Sequence, residues 1–116
     1  MNLRVLEAPP TQVHVALDGR LDTAGVDAIE VKFNAAVVAR RKDAVVDLSA
    51  LEFLSSMGVR MLLLAAKALE RAGQRMVLVA RGPVISAALQ HSAIDELIPV
   101  AQDLEQARSI LAAEQP

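Results

Sequence analysis

The period of hydrophobic and polar positions changes several times along the chain, and each change marks a candidate element. Val13, Val15 and Leu17 alternate with His14, Ala16 and Asp18, the two-residue period of a half-buried strand. A shorter β-type segment, Leu3–Ala8, precedes it, set off by the breaker Pro9–Pro10. Gly19 is expected to end the second strand. Asp22 and Thr23 then offer N-cap oxygens. Val26, Ile29, Phe33 and Val37 follow at three- and four-residue spacing, one face of a helix expected to run to about Arg40. Residues 40–43, RRKD, read as a solvated turn.

Ala44–Leu48 (AVVDL) is a short valine-rich run of the kind buried on both faces of a sheet. Residues 49–53, SALEF, read as a polar loop, and a strong helix is expected from about Ser56 to Ala72. Gly73 sits where a left-handed C-cap is wanted. Met76–Ala80 (MVLVA) is a second buried-type strand, so strand, helix and strand form a βαβ unit. Gly82–Pro83 opens a short helix whose buried side is Ile85, Ala88 and Leu89. Leu97–Val100 reads as a last short strand or an extended segment. Asp103 and Gln106 then form a capping-box pattern for a final helix, with Leu104, Ala107, Ile110 and Leu111 inward. The expected class is α/β with a mostly parallel sheet.

Composition narrows the function. At 116 residues the chain is expected to be one domain, residues 1–116. It holds no cysteine, which excludes disulfides, cysteine-based metal centres and thiol nucleophiles. Twelve basic and fourteen acidic residues give a net charge of −2 without any basic block, and there is no Trp or Tyr on which to stack bases. Nucleic acid is therefore not an expected partner. The opening MNLRVLEAPP lacks the basic region and apolar core of a signal peptide, and the longest apolar run, MLLLAA, is too short to span a bilayer. A cytoplasmic protein without direct membrane insertion is the expectation.

In open α/β sheets chemistry gathers at the carboxyl ends of strands, and Ser55 and Ser56 stand there, at the start of the strong helix. Two readings are open. A serine oxygen can cap the helix, or an exposed serine can be a phosphorylation site whose phosphate meets the positive helix end. Along the same helix Arg60, Lys67 and Arg71 form a narrow basic stripe beside Met57, Met61, Leu64 and Ala68. Those apolar residues suit either core packing or a docking patch. Enzyme chemistry finds little support. His14 and His91 lie far apart, LSSMG lacks the leading glycine of a nucleophile elbow, and no phosphate-binding glycine loop occurs. Asp47 has no acidic pair after the first or second strand with which to hold Mg²⁺ and reads as a strand-end polar residue. No catalysis, cofactor or metal is expected.

Three stretches carry a resemblance to a known family. Gly19-Arg20-Leu21-Asp22 resembles a G-E-L-D turn. Val46-Asp47-Leu48-Ser49, with Phe53-Leu54-Ser55-Ser56-Met57-Gly58-Val59-Arg60, resembles a V-D-L-S…F-[IM]-D-S-[ST]-G-[LV]-R element. Arg81-Gly82-Pro83-Val84 through Ile94-Asp95, Ile98-Pro99-Val100 and Leu104–Ala107 follow the corresponding C-terminal layout. Together they resemble the anti-anti-sigma factors of the bacterial STAS domain family. The resemblance implies a mixed sheet of four or five strands with helices mainly on one side. It also implies a phosphorylation-controlled binding switch: an antagonist that docks on an anti-sigma factor, itself a serine kinase of the GHKL type, and is released on phosphorylation. A PP2C-type phosphatase would reset it. Aligned on Phe53 and Gly58, the acceptor is Ser56, with Ser55 the alternative, and Asp22, Thr23, Met57, Gly58 and Arg60 lie around it as partner-binding residues. The chain departs from the pattern in having Ser55 for Asp, Met57 for a second Ser or Thr, and Arg20 for Glu. Other lone STAS domains imply alternatives, an accessory subunit of a lipid-transporting ABC complex or a partner-switching regulator with a non-sigma target.

Overall fold

Runs of β-branched and aliphatic residues organise the centre of the structure, a computed structural model that describes residues 1–113. They form five strands: β1 (Asn2–Leu6), β2 (Gln12–Leu21), β3 (Asp43–Leu54), β4 (Met76–Val79) and β5 (Val100–Ala101). The strands lie side by side in sequence order, β1 antiparallel to β2 and the others parallel. Each parallel connection carries a helix: α1 (Thr23–Phe33), α2 (Ser56–Arg71) and α3 (Pro83–His91). These cover one sheet face, where Val15, Leu17, Val46, Leu48 and Leu78 meet Ile29, Phe33, Leu62 and Leu89. The last helix, α4 (Leu104–Ala113), lies on the other face, with Ala107 and Leu111 against Val45, Val77, Val79 and Ala101. The mixed five-stranded sheet with helices mainly on one side agrees with the expectation.

Local signals held where they were strong. α2 closes with Gly73 at φ +77°, the Gly73 N–H bonded to Glu70 O and the Gln74 N–H to Leu69 O, which is a Schellman motif. Asp103 accepts from the Gln106 N–H at 2.7 Å, and Gln106 accepts in turn from the Gln102 N–H. The first helix ends in a π turn, Asn34–Val38, whose cap is Ala39 rather than Arg40.

Several boundaries needed the tertiary fold. β1 stops at Leu6, short of Ala8. β2 does not stop at Gly19 but runs through it to Leu21, with Gly19 at φ +109° beside a shift in register. Residues 49–53 are not a loop. They extend β3, pairing Ala50 with Asp18, Leu51 with Gly19 and Phe53 with Arg20. The polar side chains of that stretch face solvent while Leu51 and Leu54 are buried, and α3 lies against the strand. The final strand is Val100–Ala101, not Leu97–Val100, because a 3₁₀ turn at Ile94–Glu96 takes the Leu97 and Ile98 N–H groups back to Ile94 O. Nor is β2 half-buried: His14 and Ala16, on the face away from Val13, are buried too.

Candidate functional site

β4 pairs with β3 only as far as Asp47–Val79, so the far ends of β2 and β3 project together beyond it. Each arm leads directly into a helix, and this sets the N-termini of α1 and α2 at one end of the sheet. Asp22 caps α1 from extended backbone, its Oδ1 accepting from the Gly25 N–H at 2.8 Å. Ser55 caps α2 in the same way, its Oγ accepting from the Gly58 N–H at 3.2 Å. The Ser55 hydroxyl also donates to Leu21 O at 2.7 Å, and the Ser55 N–H donates to the same carbonyl at 3.0 Å. One carbonyl at the end of β2 thus fixes where α2 begins.

Close packing makes this possible. A Cβ on Gly58 would sit 2.8 Å from the Leu21 side chain and 2.9 Å from both Leu21 O and the Leu54 side chain. A Cβ on Gly25 would run into the carbonyl of Arg20. Gly58, named as a contact residue from the motif, is buried; its part is clearance, not direct contact with another molecule.

What remains outward is a compact set. Ser56 is the first residue of α2, exposed, and its hydroxyl is not used as the cap. Met57 is 44% exposed beside it, and Arg60 lies one turn on, also exposed. Thr23 holds the matching first position of α1 and is exposed, whereas Asp22 is partly covered by its capping role. Arg20 stacks its guanidinium 4.6 Å from the centroid of the exposed Phe53 ring and reaches Asp22 at 3.7 Å. Sequence reasoning used Phe53 and Arg20 only as motif positions; their stacking follows from a cross-strand register with two irregularities, for which residues 49–53 give no periodic signal. It also missed His91 and Ser92, which line a shallow depression of about 330 Å³ with Ser56, Ser55 and Val59.

The arrangement presents a hydroxyl at the positive end of a four-turn helix, with the exposed Met57 next to it and Arg60 one turn on. A phosphate there would add about −1.5 to −2 charge where the helix dipole tolerates it. Among the described residues no group of three His, Asp or Glu could hold a metal ion. Asp47 is a strand residue whose Oδ1 accepts from the Ser49 N–H. His14 is structural: fully buried, its Nε2 is 2.8 Å from Gln12 Oε1, and burial, with Arg108 adding to it, holds the imidazole pKa below its ordinary value. No helix among the described residues is long and apolar enough to cross a membrane.

Comparison with known proteins agrees with the fold. A family model described as the STAS domain matches residues 4–107. A Bordetella bronchiseptica protein named as an anti-sigma factor antagonist, BtrV, is 31% identical over 91 residues, 78% of each chain. The crystal structure of an anti-sigma factor antagonist from Mycobacterium paratuberculosis superposes with a TM-score of 0.84 at 28% identity, over 96% of this chain and 95% of that one. SpoIIAA, a Bacillus cell fate determinant solved in its phosphorylated form, shares the fold at 22% identity, TM-score 0.68, covering 94% of this chain and 99% of that chain.

Proposed function

The chain belongs to the STAS domain family, and from that membership we propose that it is an anti-sigma factor antagonist controlled by phosphorylation of Ser56. Unphosphorylated, it binds an anti-sigma factor that is also a GHKL-type serine kinase, in the cytoplasm where sigma factors act. Phosphorylated, it lets go, and a PP2C-type phosphatase restores it. The domain is the kinase's substrate and performs no catalysis itself. In the transfer, the Ser56 oxygen attacks the γ-phosphorus of ATP in line. The bond to the β–γ bridging oxygen breaks, ADP leaves, and the serine proton passes to a base on the partner.

The observation that carries this reading is the division of labour between the two serines. Ser55 is committed to the Gly58 N–H and to Leu21 O, so its hydroxyl cannot be freed without loosening α2. Ser56 is exposed, with no capping duty. Asp22, Thr23, Met57 and Arg60 frame the surface on which the partner would sit. Arg20, on β2, is paired with Asp22 and stacked on Phe53, so the basic group this surface leaves unpaired among the described residues is Arg60, which favours an acidic counterpart.

The test compares wild type, Ser56→Ala and Ser56→Asp as baits in lysate of the native host. Any captured kinase-like regulator is then purified and incubated with each bait and ATP. The reading requires capture by wild type, loss of capture with Ser56→Asp, and phosphate mapped to Ser56 and absent from Ser56→Ala. Equal capture of a transporter ATPase by all three baits would instead make the chain a structural subunit.

A further inference from the structure

The lower flank of α2 carries a feature that the Ser56 switch does not use. Between α2 and the α1 ridge runs an apolar groove of about 420 Å³, lined by Asn34, Ala35, Val38, Leu64, Ala65 and Ala68. It exists because small residues occupy both walls. The π turn at Asn34–Val38, in which the Ala39 N–H bonds to Asn34 O, leaves Ala35 and Ala39 beside it while Val37 stays in the core. Leu64 is 50% exposed on the α2 wall, and Val31, one turn before Ala35 on α1, is 83% exposed.

Beside Leu64 and Ala68 runs the basic stripe Arg60, Lys67 and Arg71, all exposed. None of the three forms an ion pair within the described residues. Their rises along the axis, about 10.5 Å and then about 6 Å, are those of positions seven and four apart on another helix. On the α1 side the charges are mixed, Asp27, Glu30 and Lys32 on the helix and Arg40, Arg41 and Lys42 after the π turn, so the continuous single-sign edge is the one on α2.

We propose that the α1–α2 groove docks an amphipathic helix of a partner protein, its apolar ridge between Val38 and Leu64 and its carboxylates along Arg60, Lys67 and Arg71. A helix laid along the groove would cross α2 at the shallow angle of bundle packing and fill a concavity that a flat surface would leave empty. An anionic lipid surface fits less well, because the apolar lining is a concavity that a flat surface leaves empty and the chain carries a net charge of −2. This surface shares Arg60 with the proposed switch, but the groove itself and Lys67 and Arg71 lie outside it, and the test turns on those.

The probe is a synthetic helical peptide of about 18 residues, five turns, with leucines on one face and glutamates along one flank. Its twin has lysine at every glutamate. Amide chemical-shift mapping on the full chain should place the acidic peptide at Ala35, Val38, Leu64 and Ala68. The double variant Lys67→Glu/Arg71→Glu should weaken it about tenfold and strengthen its lysine twin. Leu64→Ser should also weaken it, while Ser56→Asp leaves its affinity within about twofold. Far-UV circular dichroism confirms that the variants fold. Equal binding of the two peptides, shifts scattered outside the groove, or no shifts would overturn the proposal. So would co-sedimentation with phosphatidylglycerol vesicles that depends on the same basic residues while the peptide fails to bind.

Discussion

Replacing the two adjacent serines one at a time separates structure from switching. Ser55→Ala removes the oxygen that accepts from the Gly58 N–H and the hydroxyl that donates to Leu21 O. Loss of an N-cap costs about 0.5–2 kcal/mol. The hydroxyl's bond to Leu21 O is worth about 0.5–1.5 kcal/mol, reduced here because the Ser55 N–H still serves that carbonyl. The two losses share one side chain, so the expected destabilisation is about 1–3 kcal/mol. For a domain of this size that lowers Tm by roughly 4–12 °C. Ser56→Ala removes an exposed hydroxyl with no capping role and should leave Tm within about 2 °C, since surface changes away from such features stay near ±0.5 kcal/mol. Differential scanning calorimetry at one pH and salt measures both. Equal losses in the two variants, or a larger loss for Ser56→Ala, would refute the assignment of the cap to Ser55 and with it the argument that Ser56 is the free hydroxyl.

Gly58→Ala gains about 1 kcal/mol of helix propensity, but its Cβ meets Leu21 O at 2.9 Å, and overpacking against backbone costs about 1–3 kcal/mol; urea denaturation should show a net loss, and a gain would mean that α2 can move off Leu21. His14 gives a pH dependence of definite sign. Its folded pKa lies below the ordinary value of 6.5, so below that pH the unfolded chain binds more protons. The stability of the neutral, buried imidazole is complete above about pH 6.5 and falls as pH drops from there toward the folded pKa. Urea midpoints measured between about pH 7 and 5 should decline for wild type and decline less for His14→Leu; parallel curves would show that His14 does not report its burial.

The site was legible in part. The pair Ser55–Ser56 stood out because hydroxyls at a strand-to-helix junction have few other reasons to be there, but two neighbouring serines are equivalent in one dimension. What distinguishes them is the carbonyl of Leu21, brought in from β2, which captures the first and leaves the second outside. Gly58 looked like a contact residue in the motif, and only its distance to Leu21 and Leu54 reveals a packing role. The stack of Arg20 on Phe53 depends on the register between two distant strands, and the groove depends on where the π turn sets α1 against α2.

The sequence by itself determined the elements whose causes are local. The spacing of Val26, Ile29, Phe33 and Val37 made a one-faced helix, AVVDL and MVLVA made buried strands, and Gly73 and the Asp103–Gln106 pair made helix ends. For the helix face and the helix ends the deciding interactions lie within one or two turns of chain, and the two strands are legible because an unbroken valine-rich run suits only a position covered on both faces. Only the tertiary structure decided the rest. Residues 49–53 are polar enough for a loop, yet become strand because β2 offers its hydrogen bonds and α3 lies against the strand. His14 alternates with core valines as a solvent-facing residue should, yet is buried in the finished fold. These outcomes turn on partners dozens of residues away, and a local period carries no record of what will pack against its second face.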